Sequence, residues 1–358
     1  MKHAVALVLL LAFAAAGPGA ALANDASIGG SGANVYPIDN ADVQLVRETI
    51  RFVETDSGVM LVTTALTFRN KTDREIRARI GFPVATTAMY EEQDTQSFGG
   101  ETLIDEFTTR VGGKAAKTDL VKTRIEGIEA DAVYAFDAAF APGGETVIEH
   151  RYRLKVSVGV PDRHWIPYVF RTGAKWAGRI ESSEFIYEFG PRVPTHLEFV
   201  YGDTVLVGGG IRPTGKREKR AGFDVEAHFT GGPRHVLRVV MRDLEPKKDL
   251  ELRYRAGLSY EAPEFPAKGG DERASDCGEA LNQFRETWVV TPELTACFEP
   301  NLLRNYVYAS RGFAFTKADW DRMFYAKGYF LPSTAPFSES WMTAAQKAAI
   351  EKLKGAGE

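Results

Sequence analysis

Short runs of alternating polar and apolar residues, rich in β-branched and aromatic side chains, occupy the chain from Asn24 to about Tyr260; beyond residue 276 helical spacing replaces them. The runs 43–53, 60–69, 75–82, 145–158, 184–189, 196–200, 223–229 and 236–241 predict strands. Phe223-Asp224-Val225-Glu226-Ala227-His228-Phe229 shows the period of two most clearly. Turn formers separate the runs, among them Asp56-Ser57-Gly58, Asn70-Lys71-Thr72-Asp73, Pro142-Gly143-Gly144 and Gly231-Gly232-Pro233. Many short strands at this spacing predict antiparallel β-sandwiches. The region is longer than one ordinary sandwich needs, and Pro161-Asp162-Arg163 follows a long strand near its middle. This predicts one sandwich domain over 24–160 and a second over 161–260, although a single large sandwich with an inserted hairpin fits the same pattern.

From 261 to 276 the chain carries Pro263, Pro266, Gly269 and Gly270 with scattered charge and no periodicity, which predicts an exposed linker. Helical punctuation follows over 277–358. Thr291 with Pro292 reads as an N-cap and first-turn proline. A helix over about 300–311 places Leu302, Leu303, Tyr306 and Val307 on one face and stops at Gly312. Thr316-Lys317-Ala318-Asp319 and Thr343-Ala344-Ala345-Gln346 read as capping boxes, and Gly328 ends the helix between them. The fold class expected is therefore mainly β, one or two antiparallel sandwiches, with a small C-terminal α module.

The first 23 residues change the expected compartment. Lys2 and His3 precede an apolar run from Ala4 to Ala16, then Gly17, Pro18 and Ala21-Leu22-Ala23, the pattern of a secretory signal peptide. As a helix this run spans about 20 Å, short of the roughly 30 Å hydrocarbon core, so no retained membrane span is expected. The protein is expected in the periplasm or secreted. There its two cysteines, Cys277 and Cys297, are expected to form a disulfide stapling the helical module. At 44% hydrophobic and 26% charged residues the chain folds, and a formal net charge of −4 offers no broad positive field for nucleic acid.

Arg304-Asn305-Tyr306-Val307-Tyr308-Ala309-Ser310-Arg311-Gly312-Phe313-Ala314-Phe315 resembles the signature of the YARHG domain, a module of bacterial exported proteins without an established activity. Asn305, Tyr308, Ala309, Gly312 and Phe315 match the pattern; Ser310 and Arg311 stand where the family has Arg and His. Trp320, Tyr329-Phe330-Leu331-Pro332 and the last helix extend the likeness over about 277–354. The β-rich body resembles, through 172–180 and 244–250, an uncharacterised envelope family that often precedes such a module. Neither resemblance supplies a catalytic residue.

Searches for chemistry leave binding as the expected role. G-x-S-x-G, Walker, G-x-G-x-x-G and H-E-x-x-H motifs are absent, and Gly208-Gly209-Gly210 reads as a loop. His196, His228 and His235 match no metal-ligand spacing. Lys216 to Arg220 reads as a hairpin tip, and Glu91-Glu92 as solvated carboxylates. His164-Trp165, Tyr168, Phe170 and Trp176 make either a stacking platform or sandwich core. On the helix over 300–311, Asn305, Tyr308 and Arg311 are spaced to share one stripe, where a guanidinium beside a phenol could grip a carboxylate such as a cell-wall stem peptide. The candidate binding residues are thus Asn305, Tyr308, Arg311, Trp165 and Trp176, with no cofactor or metal. The expected partner is a cell-envelope or cell-wall component or another exported protein, and the alternative is a wall or glycan hydrolase using carboxylates from distant strands.

Overall fold

The computed structural model describes residues 26–31, 34–37, 40–56, 58–90, 98–123, 130–159, 163–190, 192–255, 265, 267–268, 274–326 and 328–356. The leader at 1–23, Glu91-Glu92 and most of 261–276 lie outside the described residues.

In chain order the strands are β1 (Ala26–Ser31), β2 (Asn34–Pro37), β3 (Val43–Asp56), β4 (Val59–Asn70), β5 (Ile76–Val84), β6 (Ile104–Val111), β7 (Lys114–Ala116), β8 (Asp119–Lys122), β9 (Ala132–Phe140), β10 (Glu145–Lys155), β11 (Ser157–Gly159), β12 (Arg163–Tyr168), β13 (Ile180–Glu188), β14 (Thr195–Tyr201), β15 (Thr204–Val207), β16 (Arg217–Arg220), β17 (Phe223–Thr230), β18 (Val236–Leu244) and β19 (Leu250–Arg255). The helices are α1 (Ala274–Thr287), α2 (Pro292–Cys297), α3 (Pro300–Ser310), α4 (Ala318–Asp321), which runs on into a π-turn (Arg322–Ala326), and α5 (Ala344–Gly355). The architecture is mainly β with a disulfide-bonded helical C-terminal region.

A nine-stranded sheet, β16-β17-β18-β13-β3-β4-β10-β6-β7, is the backbone of the β region, and two five-stranded sheets, β2-β1-β5-β9-β8 and β11-β12-β19-β14-β15, pack on its apolar face. Alternation creates that face: along β3, Ile50 and Phe52 are buried while Arg47 and Arg51 are exposed. Phe82 of β5 meets Tyr152 of β10 at 5.5 Å and Phe68 of β4 meets Phe140 of β9 at 5.8 Å. In the other half Tyr168 of β12 meets Phe185 of β13 at 5.4 Å, and Phe199 of β14 meets Tyr187 at 6.0 Å. The opposite face is paved with cross-strand pairs such as Arg47–Glu145 and Arg69–Glu145, both 2.7 Å, which are solvated and contribute little stability.

The large sheet runs without a break across residue 160. β3 pairs with β13 from Arg47↔Ser182 to Val53↔Glu188, and Phe52 stacks on Tyr187 at 4.6 Å across that seam. One continuous core follows, holding Phe82 and Phe136 from one side and Phe185 and Leu252 from the other. The seam is also the one parallel pairing among the described strands; every other is antiparallel. Parallel neighbours need a long crossover, and here residues 57–179 supply it.

The helical region has its own core, in which Leu303, Tyr306 and Val307 of α3 meet Phe284 of α1, Phe324 of the π-turn and Ile350 of α5. Two expectations are corrected here. Phe265, expected in an exposed linker, is 8% exposed and packs on Phe298, Tyr306 and Phe324, because a large ring gains more from that core than from solvent. Thr316 caps nothing: the N-cap of α4 is Lys317, without a side-chain bond, so the helix starts one residue later than a capping box needs. The other caps form as expected. Thr291 accepts from Leu294 N, Thr343 and Gln346 make a reciprocal box, and Gly312 and Gly328 take positive φ of 75° and 71°. Cys277 and Cys297 are joined, with Cα atoms 5.4 Å apart.

Closing this loop stabilises the helical region by about 3 kcal/mol in the chain-entropy account. Reduction, or Cys277→Ser with Cys297→Ser, should lower its unfolding free energy by that amount and move its urea midpoint to a lower concentration. Superimposable urea curves for oxidised and reduced protein would refute the assignment.

Candidate functional site

The last turn of α3 divides two environments. Its apolar stripe is buried; Arg304, Asn305 and Tyr308 stay half-exposed on the other side, and Arg311 sits just past the end as C-cap with φ −104° and ψ 15°. That backbone leaves the helical path, so the expected stripe of Asn305, Tyr308 and Arg311 is not formed. Arg311 turns inward and is 2% exposed.

There Arg311 clamps three segments together. Its Nε donates to Gln346 Oε1 at 2.9 Å and its Nη1 to the carbonyl of Gly232 at 3.2 Å, joining α3, α5 and the β17–β18 turn. Gln346 Oε1 also accepts from Thr343 N at 3.0 Å, so the α5 capping box and the clamp share one oxygen. From β18's side, His235 Nε2 donates to Ser310 O at 2.7 Å, which fixes the tautomer and leaves the buried Nδ1 without a partner among the described residues. Nor does a carboxylate pair with Arg311 there; burial alone lowers its pKa from the ordinary value. Burial, with Arg311 nearby, lowers the His235 imidazole to about 4.

Two further contacts complete the docking. Arg212 makes a bidentate pair with Asp321 of α4 at 2.8 and 2.7 Å. Gly209 and Gly210 lie against the backbone of Ala326 and Gly328, so the triglycine run is a close backbone approach rather than a free loop.

Away from the clamp, an open groove of about 620 Å³ opens on the helical region. Its α3 wall carries Arg304, Asn305 and Tyr308. Its floor is aromatic: Tyr308 meets Phe313 at 5.5 Å and Phe337 at 5.8 Å, Phe313 meets Phe315 at 5.0 Å, and Trp320 stacks on Phe324 at 6.1 Å. Lys317, Lys354 and Glu339 stand on the rim. Lys354 is held by Glu351 at 2.7 Å, whereas neither Arg304 nor Lys317 has a carboxylate partner among the described residues.

Of the five candidate residues the structure brings Asn305 and Tyr308 together in this groove and separates the rest. Trp176, 3% exposed, is core, tilted on Phe68 at 4.6 Å. Tyr168 and Phe170 are buried too, so no platform forms with it. Trp165, half-buried, lies opposite Arg253 on β12 and covers Gly159. The three histidines occupy different places: His228 beside Glu226, His196 against Tyr329 and His235 in the clamp. Among the described residues no three His, Cys, Asp or Glu converge on a metal position. The groove residues unforeseen in the sequence include Arg304, Lys317, Phe313, Trp320 and Phe337. Their spacing is visible, but their exposure depends on how α3 rotates.

Residues 23–128 match a family described as a domain of unknown function, DUF4424. No curated protein matches the chain. A candidate nutrient-binding protein from Legionella pneumophila subsp. pneumophila str. Philadelphia 1 shares the fold, at TM-score 0.50 and 19% identity over 95% of this chain and 98% of that one. An M1 zinc metallopeptidase from Deinococcus radiodurans aligns at TM-score 0.26 and 6% identity over 60% of this chain and 43% of that one, too distant to bear on the site.

A Cβ at position 231 would lie 2.0 Å from the Arg311 carbonyl oxygen, so Gly231→Ala should push the helical region off the sheet. Amide hydrogen exchange across 300–311 should speed up, and unchanged exchange would contradict the docking. The clamp is also acid-sensitive. An unfolded His binds its proton near pH 6.5 and folded His235 only near 4. The stabilisation from His235 is therefore complete above pH 6.5 and falls by about 3 kcal/mol between there and pH 4. His235→Gln keeps a donor and should flatten that part of the stability profile; a slope identical to that of the parent protein would show that other groups titrate.

Proposed function

We propose that this is an exported binding protein of the cell envelope, in which the β body carries the helical region and the groove on that region takes the ligand. The observation that carries this reading is the set of half-exposed rings, Tyr308, Phe313, Phe315, Trp320 and Phe337, gathered in one cavity beside polar groups. Soluble folds rarely leave such a patch open without a ligand or partner for it. The disulfide fits an oxidising compartment, and no helix among the described residues is long and apolar enough to cross a membrane. The neighbour named for nutrient binding points the same way.

We also read the helical region as a YARHG-like module on the residues 304–315. On this reading Tyr308 is a ligand-facing position of its signature, while Arg311, at the family's His position, serves docking. The hydrolase alternative needs a pair of carboxylates, and Glu339 is the only carboxylate among the described residues lining the groove.

Native mass spectrometry of the full chain mixed with low-molecular-mass envelope extract tests the proposal. A bound species is expected with the parent protein. Removing two rings with Tyr308→Ala and Trp320→Ala should weaken it roughly tenfold, with the melting temperature checked for integrity. Equal retention by a folded double variant would move the site off the groove.

A further inference from the structure

Resting on the groove as the binding site, the geometry points to its ligand class: we infer that it takes a short peptide ending in a free carboxylate and carrying a large apolar terminal residue. Arg304 and Tyr308 are four residues apart on α3 and so lie one above the other on the same wall. The single side-chain hydrogen bond that Arg304 makes among the described residues is to the neutral Asn301 Oδ1 at 2.7 Å, which leaves most of its five N–H donors for a ligand. The side chains of Asn305 and Lys317 have no partner among the described residues. The cations lining the groove are Arg304, Lys317 and Lys354, against the single acid Glu339; even with Lys354 held by Glu351, the excess is positive. A planar guanidinium beside an amide suits a carboxylate bound through two parallel N–H bonds.

One helical turn away lies the Tyr308–Phe313–Phe337 cluster, with edge-to-face pairs at 5.2 and 5.8 Å that offer ring faces to an apolar side chain. A cavity of about 620 Å³ is sized for a small molecule or a few residues, not for a folded domain. A fatty acid also joins a carboxylate to an apolar body. Its alkyl chain, however, would leave the Tyr308 hydroxyl and Thr316 unpaired along the wall, at a cost in affinity. Peptide N–H and C=O groups can satisfy them. The carboxylate end is held by Arg304 and Asn305, and the terminal side chain lies over the ring cluster.

Isothermal titration calorimetry on the full, oxidised chain decides this with three probes: the tripeptide Ala-Ala-Phe with a free carboxylate, its C-terminal amide, and laurate. The acid should bind roughly tenfold more tightly than the amide, and the gap should close in Arg304→Met, whose side chain is at the surface. Equal binding of acid and amide by the parent protein would overturn carboxylate recognition while leaving the groove as a binding site. A gap that persists in Arg304→Met combined with Lys317→Met would place the carboxylate elsewhere and overturn the assignment. Tighter binding of laurate than of the acid peptide would make the occupant an acyl chain. Binding of none of the three would remove the peptide class, and the ring-deleted variant, tested on extract, then decides the groove itself.

Discussion

A buried guanidinium with no counter-ion among the described residues holds the helical region to the sheet, and the position of everything else in that region follows from how Arg311 is satisfied. Removing a cation from water is costly unless its donors are met. Arg311 is met by dipoles alone: the side-chain oxygen of Gln346 and the main-chain carbonyl of Gly232. Those acceptors belong to α5 and to the β17–β18 turn, so the charge is accommodated only when α3, α5 and the sheet are all in place. Gly231 makes the approach close enough, since any side chain there would occupy the space of the Arg311 carbonyl. His235 contributes the complementary bond, a donor from β18 to the carbonyl of Ser310, and burial beside a fixed positive charge keeps it neutral.

That clamp needs a rigid platform, and the nine-stranded sheet supplies it. The parallel seam between β3 and β13 fuses what would otherwise be two sandwiches into one sheet, with Phe52 stacked on Tyr187 beneath it. β17 and β18 lie on the far side of the seam, and their turn receives the helical region. A second anchor, Arg212 with Asp321, ties the segment after β15 to α4. Two separate contacts, one charge-assisted and bidentate at α4, the other a buried donor set at the end of α3, resist both translation and rotation of the helical region in a way that one contact could not.

Much of this was legible in the sequence wherever pattern and burial coincide. Strands β3, β4, β17 and β18 alternate strongly because one face is apolar core and the other solvent, and the periodicity follows. β9 went unread because Ala-Val-Tyr-Ala-Phe-Asp-Ala-Ala-Phe is rich in a residue depleted from strands; sheet packing overrides the propensity. β12 contains Pro167, which reads as a break, yet β11 reaches only as far as Trp165, so residues beyond it have a free edge on that side. The helix caps at Thr291, Gly312, Gly328 and Thr343 were legible because their chemistry is local, whereas the one expected at Thr316 did not form. The site was legible by half. Asn305 and Tyr308 obey helical spacing, but Arg311 lies one residue past the helix, where the i, i+3 rule no longer applies. Whether an aromatic is core or floor of a groove depends on contacts between distant parts of the chain, as Trp176 shows by joining Phe68.

Clamp and groove are built from the same two helices, and this makes the geometry of one a condition of the other. On α3 the core stripe Leu302, Leu303, Tyr306 and Val307 sets the axial rotation, and with it the direction in which Arg304, Asn305 and Tyr308 face. Each residue along an α-helix advances about 100°, so a shift of one position in that stripe would turn the groove wall into the core. The stripe alone would permit small rotations, because Leu and Val surfaces slide at little cost. The hydrogen bonds at Ser310 and Arg311 do not slide: directional bonds weaken steeply outside a narrow range of angle. α5 is fixed by the same oxygen of Gln346 that caps it, and its far end carries Lys354 to the groove rim. The buried charge at one end of the helical region thus sets the aim of the exposed polar groups at the other, and the groove wall stands on a scaffold that must dock correctly before that wall can form.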